Sequence, residues 1–305
     1  MDFIVNLLSS DVRLAAPILI AALGLVYSER AGIVNIGAEG IMLIGALAGY
    51  TGSYYLGSAW GGVLVSLVAG ALVGLLFAFL VVTVRANQTV VGAALNIFGS
   101  GITIMLNRVI FGVNGTPPAV DTFQAVNFGK LAQIPVIGPI LFSHNILVYV
   151  SLLVLVISHY VLYRTELGLK IRAVGENPKA CDTLGINVYR VRYGSVLYSS
   201  ALCGAAGAYL SLAQVTFFIE GMAAGRGFIA LAAVVFGRWN PLGVLAAVLV
   251  FGAGEALQIK LQAMQTNIPF QFLQMLPYIL TILALVGAVG KSSAPAASGT
   301  AYKKE

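Results

Sequence analysis

Charge is what this sequence has least of. Only 9% of its 305 residues are Asp, Glu, Lys or Arg, where a soluble domain carries about 25%. Between Ala31 and Val84 the one charged residue is Glu39. Histidine is scarcer still. His144 and His159 are the only two, and neither has a partner at metal-like spacing. Both stand near the ends of one apolar run, where a polar residue at a helix terminus is the ordinary case. The two cysteines, Cys181 and Cys203, fall in a polar loop and an apolar run, so no disulfide is expected. There is no HExxH, CxxC or GxSxG, which removes common zinc, redox and hydrolase signatures. A phosphate-binding loop is missing too: Gly290-Lys291-Ser292 has the end of one, but Leu285 occupies its first glycine position. No catalytic residue, metal site or cofactor is expected in this chain.

What fills the sequence is apolar. Hydrophobic residues make up 59%, and the mean hydropathy is +0.94. These values imply an all-α polytopic membrane protein, because a helix needs about 20 apolar residues to cross a bilayer. Apolar runs at 14–28, 41–56, 60–84, 89–111, 144–163, 194–218, 228–236, 242–259 and 272–289 predict about nine membrane helices. The run 228–236 is short for a full crossing and fits either a tilted or a half-inserted helix. The 35 glycines suit closely packed membrane helices. Gly45/Gly49, Gly57/Gly61, Gly70/Gly74 and Gly221/Gly225 all have small-xxx-small spacing. The connection 112–143 holds Pro117, Pro118, Pro135 and Pro139 and predicts a partly ordered surface excursion with a short interfacial helix. Residues 1–290 are expected to form one transmembrane domain. Residues 291–305 are rich in Ser, Ala, Gly and Lys and predict a disordered tail. No signal peptide is expected, since Asp2 replaces a basic start.

Two segments interrupt the apolar runs. The first, Glu29-Arg30 to Glu39, carries Gly32, Asn35 and Gly37; the second runs from Glu220 to Gly227 and carries Arg226. Irregular backbone at membrane depth is tolerated only where it is buried in protein or faces water. Corresponding interrupted segments in the two halves of a transporter point to its substrate path. Two roles fit Glu39: an acceptor for loop N–H groups, or a path-lining group. Glu255, beside Gly252 and Gly254, either pairs across helices or lines the path. Asn35, Asn96, Phe98, Gln214, Phe217 and Phe218 complete the candidate path, offering flat apolar faces and hydrogen-bonding groups to a neutral solute. Packing and lipid contact are the competing roles for each aromatic.

The segment 164–192 holds six of the seventeen Lys and Arg residues. Inside it lies a short helix with marked ends: Asn177 as N-cap, Pro178 at the first helical position and Gly185 after the last turn. Two turns of helix do not persist alone in water, so the segment is either a docking element or a solvated basic loop. Placing it in the cytoplasm puts twelve basic residues inside and five outside, Arg13, Arg108, Lys130, Arg226 and Lys260. The positive-inside rule then sets the N-terminus outside and the C-terminus inside. It also explains the net charge of +6 without a nucleic-acid partner.

Three stretches resemble a known family. They are GENPKACDTLGINV, SERAGIVNIGAEGIMLIGALAGY (28–50) and EGMAAGRGFIALAAVVFGRWNPLG (220–243). All three are similar to permeases of ABC importers in the branch serving branched-chain amino acids, simple sugars and nucleosides, and most like the nucleoside type. The resemblance implies the type II importer bundle in a prokaryotic inner membrane. Its implied partners are an ATP-binding subunit, a second and different permease subunit, and an extracytoplasmic substrate-binding protein. It assigns coupling to the ATPase to Gly175, Glu176, Asn177, Pro178, Lys179, Ala180 and Gly185. Simple sugars or riboflavin-like compounds compete with nucleosides as cargo. An ion-coupled secondary carrier is the alternative class, disfavoured by the shortage of intramembrane carboxylates.

Overall fold

A computed structural model describes residues 2–112, 117–126, 129, 134–264, 270–275, 279 and 294–304. Most of the run 272–289 lies outside the described residues, as do Thr116, Lys130 and Lys291. The described residues are helical, with one isolated bridge between Ala125 and Asn145. The helices are α1 (Asp2–Arg30), α2 (Ala38–Leu56), α3 (Ala59–Ala78, continued by a π turn Phe79–Thr83) and α4 (Gln88–Phe111). Next come α5 (Ile137–Leu141), α6 (Ile146–Arg164), α7 (Glu166–Glu176) and α8 (Pro178–Thr183). The chain continues through α9 (Val188–Tyr209, with a π turn Leu210–Gln214), α10 (Arg226–Phe236), α11 (Pro241–Ala263) and α12 (Phe270–Gln274).

Six helical segments among the described residues are long and apolar enough to cross a membrane: Phe3–Arg30, Ala59–Thr83, Gln88–Phe111, Ile146–Arg164, Val188–Gln214 and Pro241–Ala263. α2 is absent from that set for a physical reason. Its 19 residues include Glu39, Thr51, Ser53 and three tyrosines, and most of its side chains are buried by other helices. A helix wrapped by protein does not need a lipid-compatible surface. α10 has 11 residues, a rise of about 16 Å against the ~30 Å hydrocarbon core.

Glycine builds the centre. α2, α3 and α9 meet along a seam in which Gly45 faces the backbone of Gly204, Gly204 faces Ser66, and Gly207 faces Met42. A Cβ on Gly49 would sit 2.7 Å from that of Ala208, and Gly70 and Gly74 lie against Ser200. Lipid offers no hydrophobic drive for helix association, so such close backbone contact supplies the van der Waals attraction instead. The spacing argument holds for Gly45/Gly49 and Gly70/Gly74 and fails elsewhere. Gly57, Gly221 and Gly225 have positive φ and nothing within 4 Å of a built Cβ. They turn the chain rather than pack it.

α1 is enclosed from Leu14 to Val26 by α9, α10, α11 and α6. The connection before α6 drapes over the ends of the central helices. Tyr50 Oη donates to the Pro118 carbonyl (2.7 Å), Ser53 Oγ to Asp121 (2.8 Å), and Phe123 N–H to Leu212 (2.9 Å). α5 is its one short helix among the described residues. His144 is buried, with Nε2 2.8 Å from the Ile140 carbonyl.

Candidate coupling site and interrupted segments

The segment between α6 and α9 is an elbow of three helices joined by side-chain caps. Thr165 Oγ1 accepts the Gly168 N–H (3.3 Å) at the start of α7. Asn177 ends α7 and caps α8, with Oδ1 accepting the Ala180 N–H at 3.0 Å and Pro178 in the first turn. Asn187 Oδ1 accepts the Arg190 N–H (3.0 Å) to begin α9. Past α8 the chain closes through Gly185 N–H to Asp182 (2.9 Å) and Ile186 N–H to Cys181 (3.0 Å), with Gly185 at φ +81°. Two further glycines fasten the elbow to the bundle. Gly168 lies on the backbone of Val161 and Leu162, and Gly175 on that of Arg30.

The inner side of the elbow is a small apolar cluster of Val174, Cys181, Val188 and Tyr302. Burial there pushes the Cys181 thiol up from its ordinary value. The outer side carries Lys179 and Leu184, the latter 80% exposed. An apolar side chain so exposed, between a six-residue helix and a left-handed glycine, is the feature that sequence reasoning missed. Gly175, Glu176, Asn177, Pro178, Lys179, Ala180 and Gly185 all lie within this one elbow.

The candidate path residues separate into two groups. Asn35, Asn96, Glu39 and Glu255 are occupied by bonds between elements. Asn35 Oδ1 accepts the Gly37 N–H (3.1 Å). Asn96 reaches across from α4, accepting the Gly40 N–H (2.8 Å) and donating to the Ile36 carbonyl (2.9 Å). Gln88, at the start of α4, accepts the Val34 N–H at 2.8 Å. The first break is thus satisfied by amide side chains from α4, as irregular backbone away from water requires.

Glu39 crosses to the second break. Its two oxygens accept the N–H groups of Gly225 (2.8 Å) and Gly227 (2.7 Å), at the start of α10. Arg226 pairs with Glu255 on α11. The far end of α10 is also held by the first break: Trp239 Nε1 donates to Glu29 Oε2 (2.6 Å), and Arg30 Nε donates to the Trp239 carbonyl (3.0 Å). Arg238 and Trp239 both have positive φ, a strained pair in non-glycine residues that these bonds fix. The two interrupted segments therefore clamp one another, with α10 between them.

A carboxylate accepting two backbone bonds makes Glu39 costly to remove, because each bond to a charged group contributes about 1.5–3 kcal/mol. Glu39→Ala is expected to lower stability by roughly 3 kcal/mol or more, and Glu39→Gln by less, since one acceptor remains. Thermal unfolding in detergent measures both; an unchanged midpoint for Glu39→Ala contradicts the clamp.

The second group stays near open surface or cavities. Phe98 is exposed on α4, and Phe217 is partly exposed in the second break. Phe218 is buried beside a cavity of about 110 Å³ lined also by Tyr50, Asn107, Arg108 and Glu220. Gln214 ends the π turn of α9, and its buried Oε1 has no partner among the described residues. Phe217 and Phe218 were expected inside a helix reaching residue 218. The helix stops at Gln214, and Thr216 turns the chain at φ +69°. Arg108 makes a two-pronged bond to Glu220 (2.9 and 3.0 Å), which holds that carboxyl below the usual range. Among the described residues no three His, Cys, Asp or Glu side chains group as a metal would need.

The family model for the branched-chain amino acid transport system / permease component matches residues 7–285. The chain belongs to this family. The permease is 41% identical over 301 residues to the guanosine ABC transporter permease protein NupQ of Bacillus subtilis (strain 168), covering 95% of this chain and 94% of the relative. It is 39% identical over 300 residues to the nucleoside ABC transporter permease protein NupC of Lactococcus lactis subsp. cremoris (strain MG1363), with the same coverage. It is 35% identical over 332 residues to the putative glucose ABC transporter permease protein TsgC13 of Haloferax volcanii, covering 100% of this chain and 99% of the relative. No solved structure matches it. The permease is a multi-pass membrane subunit of an ABC transporter. It is not an enzyme, and ATP hydrolysis takes place on a separate subunit. Membership sets aside the ion-coupled carrier.

Proposed function

We propose that the permease forms half of an import path for nucleosides and that α8 is the element through which an ATP-binding subunit drives it. The cargo assignment is carried by the two relatives named for guanosine and nucleosides, at 41% and 39% identity over 95% of the chain. The chemistry left free at the path agrees with a flat neutral solute. Gln214 offers an unpaired acceptor and Phe98, Phe217 and Phe218 offer aromatic faces, while Glu39 and Glu255 are engaged elsewhere. Phe98 lies on an apolar face of α4 with Val90, Ile97, Met105 and Val109 all exposed, so one chain does not enclose the path. A second permease subunit, different from this one as in the family, closes it.

The chain adopts the type II importer fold with about nine crossings, a number that adds α2, the short α10 and the apolar run 272–289 of the sequence to the six long apolar helices. Its N-terminus is outside and its C-terminus in the cytoplasm of a prokaryotic cell, with an extracytoplasmic binding protein delivering cargo to the end that carries Arg108 and Glu220. ATP-driven closure of the ATPase moves the elbow, and the elbow tilts α6 and α9.

The glucose relative supports sugar import as a second reading. Uptake of labelled guanosine by membranes carrying the permease with its partner subunits separates the two. Saturable ATP-dependent uptake, blocked by unlabelled nucleosides and unaffected by glucose, is expected. Competition by glucose alone contradicts the nucleoside assignment.

A further inference from the structure

The last residues of the chain have the composition of a disordered tail, and residues 294–304 lie across the elbow in a set of hydrogen bonds and packing contacts. The Ala297 N–H donates to the Gly175 carbonyl (2.8 Å) and the Gly299 N–H to the Gly32 carbonyl (3.1 Å). Gly32 makes room for this approach: a Cβ there would stand 2.9 Å from the Ala297 carbonyl oxygen. Arg192, on α9 and 1% exposed, donates from Nη1 to the Thr300 carbonyl at 3.0 Å. Tyr302, 7% exposed, fills the apolar cluster beneath α8, its ring centre 5.7 Å from that of Tyr189. Lys304 Nζ stands 3.7 Å from Asp182 of α8, and the Ala296 N–H is 3.4 Å from Glu176 Oε2.

These bonds add to the packing between three elements: the first break at Gly32, the elbow at Gly175–Asp182, and the start of α9 at Tyr189 and Arg192. α8 has six residues, too few to hold itself in place. Without residues 294–304 it would keep its ends at Asn177 and Gly185 and the packing of Cys181 on Val174 and Val188. It would lose Tyr302 from that cluster and the Lys304 contact to Asp182, leaving less to carry its neighbours along under load. The burial of Arg192 points the same way. Among the described residues its Nε and Nη2 have no partner, so the Thr300 carbonyl is an acceptor that this buried cation needs, and a buried charge left unpaired is costly.

We propose that residues 294–304 are a strap that makes α8, the first break and the start of α9 move as one body. Arg192 and Tyr302 are its positioning residues, acting through α8 on the transport step. The inference rests on α8 being the coupling helix, and the experiment separates the two ideas.

The complete transporter is reconstituted in liposomes with the native chain, with residues 294–305 deleted, with Tyr302→Ala and with Tyr302→Phe. Bound ATPase subunit, ATP hydrolysis and ATP consumed per solute imported are measured for each. The deletion and Tyr302→Ala are expected to keep the ATPase subunit and its hydrolysis within about two-fold. Their uptake falls by about ten-fold, so ATP consumed per solute rises by that factor. Tyr302→Phe, which refills the cluster, is expected to restore native coupling. Native ATP per solute in the deletion or in Tyr302→Ala overturns the strap. Loss of the ATPase subunit in both also overturns it, by assigning the segment to assembly. Leu184→Asp is the control on the underlying reading: an ATPase subunit that stays bound to this variant removes α8 as the docking helix, whatever the strap does.

Discussion

Gly207→Val is expected to leave almost no folded permease. Gly207 lies where α9 crosses α2, and its Cβ would be pressed into the Met42 carbonyl, 2.6 Å from the Ala46 nitrogen and 2.9 Å from the Met42 carbonyl carbon. Every atom met is backbone, so no side chain can rotate away. The helices must separate, and the seam through Gly45, Gly204 and Gly70 opens with them. Overpacking a core that can adjust costs about 1–3 kcal/mol; here the adjustment removes the packing itself, so the loss should exceed that range. Gly101→Val is the matched control. Gly101 is on the exposed side of α4 with nothing within 4 Å of a built Cβ, and only the small helix-propensity difference is at stake. Fluorescence-detected size exclusion after mild heating measures both. A Gly207→Val chain that elutes and melts like the native one contradicts the seam.

The second large effect is functional. Gly185→Val is expected to reduce ATP-driven uptake by more than about ten-fold while leaving the amount of chain in the membrane unchanged. The left-handed conformation costs an ordinary residue about 1–2 kcal/mol, and a β-branched one more. α8 has no length from which to absorb that strain. No steric clash adds to the cost, since nothing lies within 4 Å of a Cβ at Gly185. Asn tolerates the left-handed region, so Gly185→Asn should retain most of the uptake. Membrane insertion is checked on the same samples by quantitative blotting. Normal uptake by Gly185→Val shows that the shape of this turn does not matter for coupling.

Local signals in the sequence were legible where they are carried by one or two residues with a backbone requirement. Asn177, Pro178 and Gly185 mark the ends of α8, and the structure places a cap, a first-turn proline and a left-handed glycine there. The interrupted segments were legible for the same reason, as clusters of glycine beside isolated charges. Their partners were not. That Glu39 would cap α10 across 186 residues of chain, or that Gln88 and Asn96 would satisfy the first break, depends on tertiary approach with no local pattern. Small-xxx-small spacing did not separate packing glycines from turning ones. The backbone states of Gly57 and Gly221 are set by where their helices end. Composition carried no sign of the tail's contacts because it counts apolar residues in the segment alone. Residues 294–304 are anchored by one tyrosine and by backbone bonds to carbonyls of other elements.

α8 and Leu184 are proposed to carry the contact with the ATPase. Cysteine cross-linking tests this contact most directly. The native thiols are buried, at Cys181 and Cys203, and are replaced by serine and alanine respectively; Leu184→Cys then supplies the one exposed thiol. In membranes containing the assembled transporter, a maleimide–benzophenone reagent attached to this thiol and activated by light, which inserts into neighbouring C–H bonds, is expected to join this position to the ATP-binding subunit, while the same reagent on a cysteine placed at Phe98 is not joined to it. Absence of that product from Leu184→Cys in a transporter that still imports its solute would contradict the account.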